Sequence, residues 1–168
     1  MKTKKTSKWR KYDRKTNRWI QDYYIVYQFW FQFLQHAERD PTRTVDWTLY
    51  EGWGGANVVL GSKFRSWWLD RWVDLFSVES RTSTTSKFSL STRQTKPTSY
   101  KVALRVYENR HMENDELYYH LGEKYLGKDM GSIDLGKGKD MKDRTRFIKR
   151  YRALAERLLD NVCDGRFP

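Results

Sequence analysis

Apolar residues recur at three- and four-residue steps along much of this chain, a period that predicts helices. The pattern is cleanest near the C-terminus. There Phe147, Ile148, Tyr151, Leu154, Ala155, Leu158, Leu159 and Val162 make one continuous face over Lys142 to Val162, with Gly165 just past the end as a stop. Trp19 to Arg39 also reads as a helix. Its polar residues Gln21, Gln28, Gln32, Gln35 and Arg39 form one narrow stripe, and Asp40-Pro41 ends it because the residue before proline leaves the helical region. A helix apolar around most of its circumference belongs at the centre of a core. Ser62 to Phe76 is a third helix, with Phe64, Trp67, Trp68, Trp72, Leu75 and Phe76 on one side and Ser62 as its N-cap.

The segments between are read from their breakers. Val45 to Gly61 carries Gly52, Gly54, Gly55 and Gly61 around Trp47, Tyr50 and Trp53, which predicts a tight loop pinned by aromatic side chains. Ser77 to Thr98 keeps no period, runs through Ser80 and Thr82 to Ser86, and reads as a linker or mobile loop. Ser99 to Arg110 and Asp115 to Tyr125, the latter capped by Asn114, are shorter helices. Leu126 to Met141 is glycine-rich, with room for a small hairpin turning at Gly136-Lys137-Gly138. The expected fold is mainly α. An aromatic-rich helical module spans 19–76, a Ser/Thr-rich linker 77–98, and a second helical module 99–168.

Charge changes the picture at the N-terminus. Between Met1 and Arg18 lie nine Lys or Arg against the single acid Asp13, so this segment holds +8 of the chain's formal +12. Residues 1–18 therefore read as a basic flexible arm on a nearly neutral body. Such an arm cannot bury enough apolar surface to fold alone, and it suits a polyanion whose condensed counterions it releases. Aromatics make up 16% of the chain, enough large side chains to build a stable core in 168 residues. The single Cys163 excludes an internal disulfide and fits a reducing, cytoplasmic setting. The apolar run Tyr23 to Leu34 is too short to span a bilayer and is broken by Gln28 and Gln32, so no membrane partner is expected. No secretion signal follows the basic start.

Catalytic signals are weak. The string Glu51 to Ala56 lacks the Lys-Ser/Thr of a phosphate-binding loop and the spacing of a dinucleotide fingerprint. His111, Glu113, Asp115, Glu116 and His120 cluster locally, and Glu116 with His120 is an i,i+4 pair, but the paired-His spacing of a zinc motif is missing. Those residues read as capping and surface charge. No catalytic residue, metal ligand or cofactor is assigned, and the chain is expected not to be an enzyme.

The final helix carries the functional signal. Lys142, Arg146, Lys149, Arg150 and Arg157 lie away from its apolar face as a basic stripe, flanked by Arg144 and Arg152. In the order YKVALRVYENR, NDELYYHLGEKY and DRTRFIKRYRALAERLLDNV, the C-terminal half resembles a helix-turn-helix DNA-binding domain, with Leu126 to Met141 inserted before the third helix. That resemblance implies that Arg144, Thr145, Arg146, Lys149 and Arg150 meet DNA, the first four facing the groove. From the arm, Lys4, Lys5, Lys8, Arg10, Lys11 and Arg14 would grip phosphate. The expected function is nucleic-acid binding, with double-stranded DNA favoured over RNA, in keeping with a small regulator or accessory factor of a phage or mobile element. The alternative is a non-catalytic subunit of a larger protein or ribonucleoprotein assembly. In that case the Trp-rich half would dock a protein partner or a second copy.

Overall fold

Trp30 lies near the middle of the first helix of a computed structural model that describes residues 11–82, 86–92, 94–125 and 141–168. Helix α1 (Tyr24–Arg39) buries Val26, Tyr27, Phe29, Trp30, Phe31, Phe33, Leu34 and Ala37, which makes it the central element of its unit. The Trp30 ring meets Trp53 at 5.5 Å and stacks on Phe167 at 5.9 Å, while Trp53 meets Trp67 at 4.6 Å. Offset and tilted contacts of this kind add to simple burial. Some polar ends pair within the core: the Trp30 indole N–H donates to the Tyr50 hydroxyl at 3.1 Å, and that hydroxyl donates to the Val162 carbonyl at 2.5 Å.

Three elements pack against α1. A 3-10 turn (Trp47–Tyr50) leads into α2 (Gly55–Gly61) through Gly52, Gly54 and Gly55, all at positive φ. At Gly52 (φ +90°) a Cβ would stand 2.8 Å from the Leu75 side chain, so only glycine fits this close approach. Of the expected loop, the second half is thus a short helix. Its last carbonyls are met from α1, where Gln35 Nε2 donates to the Val59 carbonyl at 2.7 Å. Next, α3 (Phe64–Phe76) packs Trp67, Trp68, Trp72, Leu75 and Phe76 inward. Ser62 does not cap α3: it terminates α2, and Lys63 stands at the α3 N-cap without a side-chain hydrogen bond.

The start of the chain departs from the expected arm and helix. Lys11–Asp13 (β1) and Arg18–Ile20 (β2) form an antiparallel hairpin, with Tyr12 opposite Trp19. Trp19 also exchanges two backbone hydrogen bonds of 2.9 Å with Val78. The helical period begins only at Tyr24 because this pairing claims Trp19 and Ile20 as strand. Gln21 is a buried strut whose Oε1 accepts the Leu90 N–H at 2.6 Å. The expected hairpin at Gly136-Lys137-Gly138 lies outside the described residues.

The expected linker is anchored to the core at isolated points where it is described. Val78, Phe88 and Leu90 are buried, and the Phe88 N–H bonds the Leu75 carbonyl at 2.8 Å. Its Ser/Thr content masks these isolated apolar anchors. Pro97 opens a helix there, at the N1 position where its missing N–H costs nothing.

The chain divides into two units, Met1–Thr95 with Leu159–Pro168, and Lys96–Leu158. The expected 99–168 module therefore loses its last ten residues to the first unit. The second unit contains α4 (Pro97–Glu108), α5 (Asn114–Tyr125) and most of α6 (Met141–Cys163). Its core is built from Tyr100, Val102, Leu104 and Val106 of α4, Leu117, Tyr118 and Leu121 of α5, and Ile148, Tyr151 and Ala155 of α6. The described chain is mainly helical with one small two-stranded hairpin.

Candidate nucleic-acid interface

The side of α6 that faces solvent is set by the side it buries. Ile148, Tyr151, Ala155 and Leu158 recur at three- and four-residue steps and are buried, while Phe147 and Leu154 border them half-exposed. Lys142, Arg146, Lys149, Arg150 and Arg157 are exposed. Arg146 keeps 72% of its side-chain surface in solvent although its guanidinium lies 3.6 Å from Asp143. Such an exposed pair holds a side chain only loosely. The Arg150 guanidinium lies over the Tyr151 ring at 5.3 Å. Met141, Lys142, Thr145, Arg146 and Lys149 together line an open concavity on this helix.

The two arginines that flank this stripe are used inside the unit. Arg144 Nε donates to Asp115 Oδ1 at 2.6 Å, and its guanidinium lies 5.0 Å from the centre of the Tyr119 ring. The hydrogen bond it donates to Asp115 favours the charged form and pushes the Arg144 pKa up. Arg144 sits one turn before Ile148, in register with the buried face, and this turns it toward α5 rather than toward a groove. Arg144, expected as a groove-facing residue, is thus engaged within its own unit. Arg152 behaves similarly, donating to the carbonyls of Arg110 at 3.1 Å and Met112 at 2.7 Å. Those carbonyls lie in the turn joining α4 to α5, and a guanidinium fork suits two acceptors so placed. Thr145 is partly buried, so Arg146, Lys149 and Arg150 are the exposed members of the expected set.

Of the expected arm residues, Lys4, Lys5, Lys8 and Arg10 lie outside the described residues. Lys11 and Arg14 belong to the hairpin, so the flexible reading of residues 11–18 is corrected as well. Asp13 accepts from the Thr16 N–H at 2.8 Å and from its hydroxyl at 2.6 Å, closing the turn together with Asn17 at φ +57°. The Thr16 hydroxyl bond holds the Asp13 carboxyl below its ordinary value. Arg14 is exposed beside this turn, Arg18 pairs with Glu79 at 3.3 Å, and the Lys11 ammonium lies 3.7 Å from the centre of the Tyr23 ring.

The remaining candidate chemistry is dispersed. Among the described residues no group of three or more His, Cys, Asp or Glu side chains is arranged to hold a metal. Asp115, a member of the local acidic and histidine cluster, is taken by Arg144. Burial pushes the Cys163 thiol up, against the opposing effect of nearby Arg43. Trp30, Trp53, Trp67, Trp68 and Trp72 are buried, which withdraws them from any docking surface. Among the described residues no helix is long and apolar enough to cross a membrane.

Two features escaped the sequence reading. The hairpin had a visible signal in the alternation of Lys11-Tyr12-Asp13 and Arg18-Trp19-Ile20 around Asn17, hidden by the local density of charge. The inward use of Arg144 and Arg152 had only the weak signal of their register with Ile148 and Ala155. In comparisons with protein-family models, curated proteins and solved structures, no match to this chain was found.

Proposed function

We propose that this chain is a non-enzymatic nucleic-acid-binding protein that takes duplex DNA in preference to RNA through the solvent side of the first half of α6. The observation that carries the reading is the sorting of basic side chains on that helix. Lys142, Arg146, Lys149 and Arg150 stand in solvent, while Arg144 and Arg152 tie the helix to the rest of its unit. Nine residues of helix extend about 12 Å, a length that a major groove accommodates. A helix anchored from behind presents its outer side chains at defined positions, which base recognition requires. The order α4, α5, α6 supports a helix-turn-helix frame in which the N-terminal half of α6 enters the groove. Arg146 would meet base edges, and Lys149 and Arg150 phosphates, as in an accessory or regulatory factor. The alternative, a subunit docking through its tryptophans, is weakened by the burial of five of them.

Titration of labelled duplex DNA at several salt concentrations, after selection of a preferred sequence from a random pool, tests this reading. The double variant Lys149→Ala, Arg150→Ala should bind all sequences more weakly and reduce the slope of log affinity against log salt by nearly 2. Arg146→Ala should cost about 1–3 kcal/mol at the preferred sequence and much less elsewhere. Arg157→Ala should shift every sequence alike or none. Unchanged binding in both Arg146→Ala and the double variant would overturn the proposal.

A further inference from the structure

Exposed aromatic rings are concentrated in one short stretch of the described chain. Among the described residues, the aromatic side chains standing well out in solvent are Tyr12, Tyr23, Tyr24 and Tyr119, and the first three lie within one short stretch. Tyr12 is 47% and Tyr23 59% exposed, in a unit that otherwise packs its large rings tightly. Cross-strand pairing puts Tyr12 and Trp19 on the same face of the hairpin, with ring centres 4.9 Å apart and the Arg81 guanidinium 5.5 Å from the Trp19 ring. On the next residue, Lys11 reaches over Tyr23. Arg14 and Lys15 are exposed at the turn.

The acids of this segment are already engaged. Asp13 is bound by Thr16, and Asp22 accepts from the Tyr23 N–H and the Thr95 hydroxyl. Cations held beside exposed rings are a costly surface for a purely apolar partner, since docking would strip them of water. They suit a ligand that offers flat π-faces and negative charge together. Single-stranded nucleic acid does so, because its bases stack on aromatic rings while Lys and Arg track its phosphates. A duplex keeps its base faces covered by stacking.

We propose that the hairpin surface formed by Tyr12, Trp19 and Tyr23 with Lys11, Arg14 and Arg81 binds unpaired nucleotides of single-stranded nucleic acid. The inference rests on the reading of the chain as a nucleic-acid binder. It adds a second site, in the other unit and with the opposite preference for strandedness. Tyr12 and Tyr23 supply the stacking faces, and the cations hold the backbone.

Fluorescence anisotropy with labelled oligothymidylate of about a dozen nucleotides tests it, alongside a duplex of the same length. Tyr12→Leu with Tyr23→Leu should weaken oligothymidylate binding at least about twenty-five-fold, at about fivefold or more for each lost stack. Duplex binding should stay within twofold. Phenylalanine at both positions should retain wild-type affinity, because the π-faces remain. Tyr23→Leu alone, at an exposed ring outside the strands, should give about half of the logarithmic loss without disturbing the hairpin, as judged by an unchanged urea midpoint. If the wild-type protein binds neither probe, the proposed function itself fails. If it binds duplex while both leucine variants leave oligothymidylate affinity unchanged, only this inference is overturned. Loss of duplex binding alone would also overturn it and make the hairpin a groove-binding ribbon.

Discussion

One hydroxyl joins two ends of the chain inside the first core. Tyr50 accepts from the Trp30 indole and donates to the Val162 carbonyl, one of the last carbonyls of α6 that no helical N–H can reach. Tyr50→Phe should therefore destabilise the first unit by about 1–3 kcal/mol, the cost of leaving the buried Trp30 indole N–H unpaired, and urea denaturation should show it. The same residue predicts a pH effect. Burial raises the pKa of both Tyr50 and Tyr27, so the neutral phenol is the form that the fold stabilises. That contribution is full below the unfolded pKa of about 10 and is lost as pH rises above it. Urea midpoints should be flat to about pH 9 and fall beyond, with a shallower fall in Tyr50→Phe. A midpoint that rises between pH 10 and 11 would contradict the burial of these phenols. The sequence marks Tyr50 as an aromatic pin in a glycine-rich stretch. It does not indicate which partners the hydroxyl would find, because Val162 lies 112 positions away.

At the scale of the element, α6 is one helix with two duties. Its first half carries the exposed cations, and its last turn belongs to the first unit. The helix closes on Gly165 at φ +71°, where the Gly165 N–H reaches the Val162 carbonyl at 3.3 Å and the Arg166 N–H reaches the Asn161 carbonyl at 2.9 Å. This is the paired bonding of a Schellman stop. A Cβ at Gly165 would also stand 2.9 Å from Leu49 Cβ. Gly165→Ala should therefore cost at least about 1–2 kcal/mol, the penalty of left-handed backbone alone. The stop then delivers Phe167 into the core against Trp30 and Phe33, its carbonyl accepting the Ser91 N–H at 2.8 Å. Phe167→Ala should cost about 3–5 kcal/mol, read from the urea midpoint. A loss below 1 kcal/mol would mean that the tail does not pack there. The position of the stop was legible from Gly165 alone. The insertion of Phe167 was not, since a single apolar residue after a helix end carries no period.

At the scale of the whole molecule, the division of the chain follows packing rather than sequence order. The polar stretch after α3 looked like the natural border, yet its Lys87 side chain pairs with Glu51 at 3.2 Å, and the next residue, Phe88, is buried. Limited trypsin digestion of the native protein should therefore leave the bond after Lys87 intact until the first unit unfolds. Early cleavage at that bond would show the segment to be unpacked. The first unit instead draws in the last ten residues of the chain, so its core is built from segments distant in sequence. Removing Leu159–Pro168 takes away Val162 and Phe167 from its core, and the truncated protein should lose the near-ultraviolet circular dichroism of the packed tryptophans.

Periodicity by itself determined the mainly helical class, the core role of α1 and the inward face of α3. It also determined the amphipathic character of α6, because hydrophobic period and local breakers are properties of short stretches. Charge counting likewise located the basic exposed side of α6. The tertiary structure decided which cations remain in solvent, since Arg144 and Arg152 differ from Arg146 and Lys149 only in what lies opposite them. It also decided that Trp19 is strand rather than helix, through pairing with Tyr12 and Val78. The polar stretch around Phe88 and the tail at Phe167 join the core for the same kind of reason. Each choice depends on a partner distant along the chain, and the free energy of such a contact is written in neither sequence neighbourhood alone.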